Sequence, residues 1–328
     1  MRRREFLAWT GIFVLASPIS LNAQHQRNKV ARLGFLFAGT LAERPQAQAF
    51  WDALRDLGYT PGNNLIVQIR EAKGQNDRLP QLARELVDWK PDVLVAVTPG
   101  AITAAQQATS SIPIVMAITG DPVGRGLIKN LARPEGNTTG PAQNFDQGLY
   151  GKRLQLLKEL IPEVSRVGVV WNTQASYNEL ALKFLKEVAP SLRLDLELLP
   201  FQGPDKLEEA FAAALRRRPQ ALYIASDAVT FDKRATVISF AAANRFPSLH
   251  FFADEAEEGG LIALGPSIRN EYRRSAPYVA RILKGAKPAD LPVELTSQNF
   301  IVVNRTTAKA LGIAIPPTIL LRADRVIE

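Results

Sequence analysis

From Val30 onward, short apolar runs alternate with longer amphipathic ones. Val30 to Phe37 is mostly apolar and closes at Gly39 and Thr40. The next segment sets Phe50, Trp51, Leu54 and Leu57 on one face before Gly58 stops it, which predicts strand, loop and helix. Leu65, Val67 and Ile69 alternate with more polar neighbours, and Leu79, Leu82 and Leu86 recur at helical spacing. Val93 to Val97 is wholly apolar and ends in Thr98-Pro99-Gly100. An alanine- and glutamine-rich helix (101–108), a buried strand (114–118) and a glycine-rich loop (120–126) follow. Four strands alternating with helices predict a parallel sheet covered on both faces.

Around Pro134 to Asn144 the periodicity lapses, as in a linker, and then it restarts. Helices are predicted at 150–161, 178–189, 205–217 and 231–244, with strands at 167–171, 194–199 and 221–225. Beyond them come a strand at 261–264, a helix at 272–283, a strand at 300–303 and a helix at 306–311. A second sheet of the same kind follows, with the C-terminal part revisiting both lobes and a cleft between them.

Length agrees with this division, since 328 residues at roughly 150 per domain make two domains. With 46% apolar and 22% charged residues, disorder and fibre are excluded. No cysteine is present, which removes disulfides, thiolate metal sites, cysteine nucleophiles and a lipid-modified cysteine. Two histidines, His25 and His250, leave little for histidine-dependent catalysis or metal binding.

The first residues read as an export signal. Arg2, Arg3 and Arg4 precede an uncharged stretch from Phe6 to Leu21, and Ala23 stands at a cleavage position, giving residues 1–23 as a signal peptide. Arg3-Arg4-Glu5-Phe6-Leu7 fits the twin-arginine route, and the basic start serves the general secretory route equally. Either places the protein in the periplasm. About 16 apolar residues interrupted by Pro18 are short for a bilayer, which needs about 20. The net charge of +8 is spread along the chain, and Arg216-Arg217-Arg218 and Arg273-Arg274 lack interleaved aromatics, so no nucleic-acid partner is expected.

Catalytic templates fail. Gly124-Arg125-Gly126 is followed by Lys129 where a dinucleotide fingerprint needs glycine or alanine, and no Walker loop, serine elbow or zinc-protease helix occurs. His250 beside Phe251 and Phe252 reads as a structural histidine. Asp254, Glu255, Glu257 and Glu258 read as a solvated loop or hinge and not as a cation site. No cofactor is expected.

Ligands of open parallel sheets bind beyond the carboxyl ends of the strands, where loops vary and helix N-termini offer unpaired N–H groups. The residues after the predicted strands are therefore the candidates, and each has the alternative of a purely local cap or turn. From the first lobe these are Gly39, Thr40, Thr98, Gly100 and Asp121. From the crossings and second lobe they are Asn144, Asn172, Asp227 and Phe231. The helix start at Thr98 to Gly100, with Thr98 as a cap, suits a carboxylate; Asp227 or Asp121 suits an ammonium, and Phe231 a stacked ring.

Three blocks carry a family resemblance: DPVGRGLIKNLARPEGNTTG from Asp121, EEGGLIALGPSIRNEYRRSAPYVARILKGAKPADLPVE from Glu257, and TAKALGIAIPPTILLRADRVIE from Thr307. They resemble the ABC transporter substrate-binding protein family that includes tryptophan-uptake binding proteins. The resemblance implies an α/β type I periplasmic binding protein fold of two Rossmann-like lobes with parallel sheets and three hinge crossings. Residues 30–142 plus about 260–296 would form the first lobe, and 143–259 plus about 297–328 the second. It also implies a monomer that captures a small ligand, an amino acid or aromatic or carboxylate compound, by hinge closure and delivers it to an ABC permease with its ATPase. Ala263-Leu264-Gly265 stands where serine-tyrosine-glycine is common, Pro141-Ala142 where glycine-valine is usual, and Asn172-Thr173-Gln174 lacks the usual proline, departures that bear on ligand choice. A ligand sensor for a membrane receptor and an exported hydrolase are the alternatives.

Overall fold

The computed structural model describes residues 30–43, 45–144 and 148–328, so the expected signal peptide lies outside the described residues. In chain order the first part contains β1 (Ala31–Phe37), α1 (Gln48–Asp56), β2 (Leu65–Glu71), α2 (Leu79–Asp88), β3 (Val93–Val97), α3 (Pro99–Ala108), β4 (Ile114–Ala117) and β5 (Thr138–Thr139). After β6 (Ala142–Gln143) come α4 (Gly148–Leu160), β7 (Arg166–Asn172), α5 (Ser176–Val188), β8 (Asp195–Phe201), α6 (Leu207–Arg217) and β9 (Ala221–Ile224). Then follow α7 (Ala228–Asp232), α8 (Arg234–Ala243), β10 (Ser248–His250), α9 (Ala253–Glu257) and β11 (Ile262–Gly265). The chain ends with α10 (Ile268–Leu283), β12 (Leu295–Thr296), β13 (Phe300–Asn304), α11 (Arg305–Leu311), α12 (Pro317–Arg322) and β14 (Arg325–Ile327).

Two sheets form two lobes. The first has the order β2-β1-β3-β4-β5 and is parallel throughout. Its alternation shows how both faces are covered: Leu33, Phe35 and Phe37 pack with Phe50, Leu54 and Tyr272 of α1 and α10, while Leu36, Leu94 and Ala96 meet Leu82 and Leu86 of α2. The second sheet has the order β14-β13-β11-β10-β9-β7-β8. One pair departs from the expected parallel pattern, because β13 enters from the other lobe and lies antiparallel to β11.

The chain passes between the lobes after β6, after β11 and after β12. Leu295 and Thr296 pair in parallel with Ala142 and Gln143, so two of the crossings form a small ribbon of their own. Ile262–Gly265 pairs with β10 and β13 of the second sheet, which moves the expected boundary near residue 260 to the Pro266-Ser267 step. Gly140 shows why one crossing needs glycine: its φ is +138°, and an added Cβ would sit 2.5 Å from the Met116 carbonyl oxygen of β4.

Two local expectations change. The helix predicted at 231–244 is split into α7 and α8 at Lys233. The acidic group after Phe252 is solvated only in part, at Glu257 and Glu258. Asp254 and Glu255 are buried in α9, where Asp254 accepts the Ile268 N–H at 2.7 Å and Glu255 accepts the Phe252 N–H at 2.9 Å. Both carboxylates are satisfied by helix-start N–H groups, which for Asp254 partly offset the burial that pushes its carboxyl up.

Candidate ligand site between the lobes

The lobes touch across the mouth of the cleft. The Thr40 N–H donates to Asp232 at 3.0 Å, Nε2 of Gln46 donates to Glu258 at 2.7 Å, and Gly74 packs against Pro204. Behind these contacts is a cavity of about 120 Å³. That is the order of the roughly 150 Å³ that holds a single six-membered ring.

Its wall is aromatic. Phe231 packs edge-on to Phe252 with centroids 5.2 Å apart, Phe252 packs on Phe251 at 4.7 Å, and Tyr150 and Tyr223 complete the lining. Polar groups are few: Thr98, Arg125, Gln143, Asn178, Ser226 and Asp227. Arg125 is fixed by donation from Nε to the Gly120 carbonyl at 2.8 Å.

Asp227 lies just past β9 and caps α7. Oδ1 accepts the Thr230 N–H at 2.7 Å and the Thr230 hydroxyl at 2.9 Å, while Nδ2 of Asn172 donates to Oδ2. Burial pushes its carboxyl above the usual range, and the hydrogen bonds from Thr230 and Asn172 oppose that push. A cation arriving in the cavity would favour the ionised form.

Thr98 lines the cavity but does not cap α3 with its side chain, contrary to expectation. Its φ of +83° and ψ of 154° turn the chain so that its N–H donates to the Ala117 carbonyl at 3.0 Å. Ile118, also on the cavity wall, has φ +53°. Two β-branched residues at positive φ on one wall store strain of about 1–3 kcal/mol each. Thr98→Gly is therefore expected to raise stability by about 1 kcal/mol, strain relief exceeding the roughly 0.5–1 kcal/mol entropic cost of glycine. A urea midpoint below that of the parent protein would contradict this.

Of the residues expected from strand ends, Thr98, Asp227 and Phe231 line the cavity together. Asn172 is one layer behind, holding Asp227. Gly39 and Thr40 lie at the mouth against Asp232, where an added Cβ on Gly39 would collide with that carboxylate. Gly100 is exposed beyond the lining, and exposed Asp121 serves a turn by accepting the Gly124 N–H at 2.9 Å. Asn144 borders a smaller neighbouring chamber. Sequence reasoning missed Tyr150, Tyr223, Phe251 and Phe252; the strand-end rule applied to β10 would have reached the last two.

His250 is fully buried, with Nε2 2.9 Å from the Ser248 hydroxyl and Nδ1 3.3 Å from Glu255, away from the cavity lining. No group of three or more histidine or acidic side chains suited to a metal ion occurs among the described residues. Among them, too, no helix is long and apolar enough to cross a membrane.

Two lobes, three crossings and a cavity between them define a type I periplasmic binding protein fold. The chain belongs to the ABC transporter substrate binding protein family, whose model matches residues 42–327. It is 26% identical over 264 residues to the tyrosine-binding protein of Clostridioides difficile (strain R20291), covering 80% of this chain and 75% of that one. A conserved domain protein from Vibrio cholerae superposes with a TM-score of 0.81 at 29% identity, over 91% of this chain and 100% of that one. The ABC domain from Streptococcus pneumonia in complex with L-Trp gives a TM-score of 0.78 at 24% identity, over 90% and 99%.

Proposed function

We propose that the protein is the exported, periplasmic solute-binding component of an ABC uptake transporter. It captures an amino acid, an aromatic one favoured, and presents it to a permease driven by its ATPase. The observation that carries this reading is the interlobe cavity, where one buried carboxylate, Asp227, stands at the edge of a wall of phenylalanine and tyrosine rings. An ammonium suits the first and a ring the second. The names of two similar proteins, one tyrosine-binding and one bound to L-Trp, support the same ligand class.

Closure supplies the signal. A ligand that touches both lobes only when they meet binds the closed form better and shifts the population toward it, which the membrane partner reads as shape. Thr98 and Ile268 come from elements of the first lobe, and Asp227 and Phe231 from the second, so the cavity is complete only in the closed form.

A thermal-shift screen of amino acids, aromatic acids, nucleobases and sugars is the test. A ligand at about 100 times its dissociation constant should stabilise by about 2.7 kcal/mol and be recovered chemically unchanged. Stabilisation by sugars alone would overturn the ligand class. Turnover of the ligand would overturn binding without chemistry.

A further inference from the structure

Beside the main cavity lies a smaller chamber of about 40 Å³, bordered by Arg153, Asn144, Thr296 and Gln298 and sharing Gln143, Tyr150 and Phe251 with it. Arg153 projects from α4 and is 1% exposed. Its Nε donates to the Leu264 carbonyl at 2.7 Å, and its guanidinium carbon lies 3.8 Å from the Phe251 ring centroid. Gly265 lets the Phe251 backbone close in beside Arg153, since a Cβ there would collide with the Phe251 carbonyl oxygen and sit 3.1 Å from Nη2 of Arg153. Nη1 and Nη2 are buried without a partner, and no carboxylate among the described residues pairs with them. Nε2 of Gln143 is also buried without a partner, and the Tyr223 hydroxyl is buried beside the Arg153 guanidinium.

A guanidinium cannot shed its charge as a lysine or histidine can. Burying one without a counter-charge costs several kcal/mol. The unmet groups are mostly donors, and a carboxylate is an acceptor with two oxygens that fits the guanidinium fork. The start of α3 has a weaker claim on an anion, because Gly100 is exposed and lies outside the cavity lining, where water competes for a charge.

We propose that the ligand carries a carboxylate that seats in this chamber on Arg153 and Gln143, and not at the start of α3. The rest of the ligand lies along Phe251 and Tyr150 into the main cavity. This rests on the reading of the interlobe cleft as the ligand site, and it makes the protein selective for acids: a neutral ligand leaves Arg153 uncompensated.

The test is calorimetry on the purified chain with matched pairs: L-tyrosine and tyramine, L-tryptophan and tryptamine, benzoate and benzyl alcohol. The acid of a pair should bind about 100-fold tighter or more than its carboxyl-free partner. Arg153→Met should abolish that preference, and Arg153→Lys should keep part of it. Should Arg153→Met not fold, Gln143→Leu probes the same chamber and should weaken the acids by about tenfold while leaving the carboxyl-free partners unchanged. Equal binding within the pairs, a preference that survives loss of Arg153, or no binding of any acid at about 1 mM overturns the proposal. Amino acids that bind through Asp227 without any acid preference would sink this inference and leave the proposed function standing. Arg153-dependent binding of benzoate alone would do the reverse to the amino-acid reading.

Discussion

Asp227→Asn is expected to weaken the binding of L-tyrosine or L-tryptophan by about 100-fold while changing stability by no more than about 1–2 kcal/mol. The loss follows from replacing a buried carboxylate, the partner for a ligand ammonium, by a neutral amide. The stability of the empty protein is balanced by two opposing changes. An amide keeps an oxygen for Thr230 but turns a donor toward Nδ2 of Asn172. That amide cannot flip cheaply, because its own Oδ1 accepts the Gln174 N–H at 3.1 Å and the Gly203 N–H at 3.3 Å. One hydrogen bond is therefore lost, about 1 kcal/mol, and a desolvated charge is removed. Because burial raises the Asp227 carboxyl, amine binding should also weaken on acidification at a higher pH than an ordinary aspartate would cause. Calorimetry separates the causes. An amine-free acid such as 4-hydroxyphenylacetate should bind parent and variant alike, and equal losses for both ligands would mean that Asp227 shapes the cavity without meeting an ammonium.

Alternation of apolar runs with helical spacing made both sheets legible, because each buried parallel strand is nearly continuous in apolar residues and each covering helix is amphipathic. The strand-end rule reached Thr98, Asp227 and Phe231 for the same reason. It overreached at Gly39, Gly100, Asp121 and Asn172, since every strand has an end but only some ends reach the cavity between the lobes. That depends on how the lobes close. Arg153 left no signal: in the run Arg-Leu-Gln-Leu-Leu-Lys-Glu-Leu it has the look of a surface cation, and only the packing of α4 against Phe251 turns it inward. Tyr150 and Phe251 gave no signal either, because aromatic residues on an inward face are the same letters whether they meet protein or ligand. The crossing at Pro266 was displaced by a few residues because Ile262–Gly265 is an ordinary apolar strand whose sheet is chosen by pairing with β13, a contact distant in sequence.

Glu271→Gln is expected to stabilise the protein by about 3 kcal/mol at pH 8 and by almost nothing at pH 4. Glu271 lies on α10, 2% exposed, and burial pushes its carboxyl from 4.5 up to about 7 even though Arg274, with Nη1 at 3.5 Å, pulls the other way. Below pH 4.5 the group is protonated both folded and unfolded and costs the folded state nothing. As pH rises toward 7 the unfolded chain releases the proton first, so the folded state loses stability through that window and stays penalised above it. A glutamine is neutral throughout and keeps a carbonyl oxygen for Arg274, so the variant should lack this decline. Denaturant melts of both proteins at several pH values between 4 and 8 provide the check, and parallel curves would show that Glu271 is ionised without penalty. The position matters beyond stability, because α10 also places Ile268 in the cavity wall, and Nη2 of Arg274 donates to the Glu294 carbonyl at 2.8 Å, next to the β12 crossing. Arg274, one turn along α10 from Glu271, thus links that carboxyl to the ribbon between the lobes. A glutamine holds Arg274 in the same way at every pH, so the ligand-induced thermal shift should become less dependent on pH in the variant than in the parent.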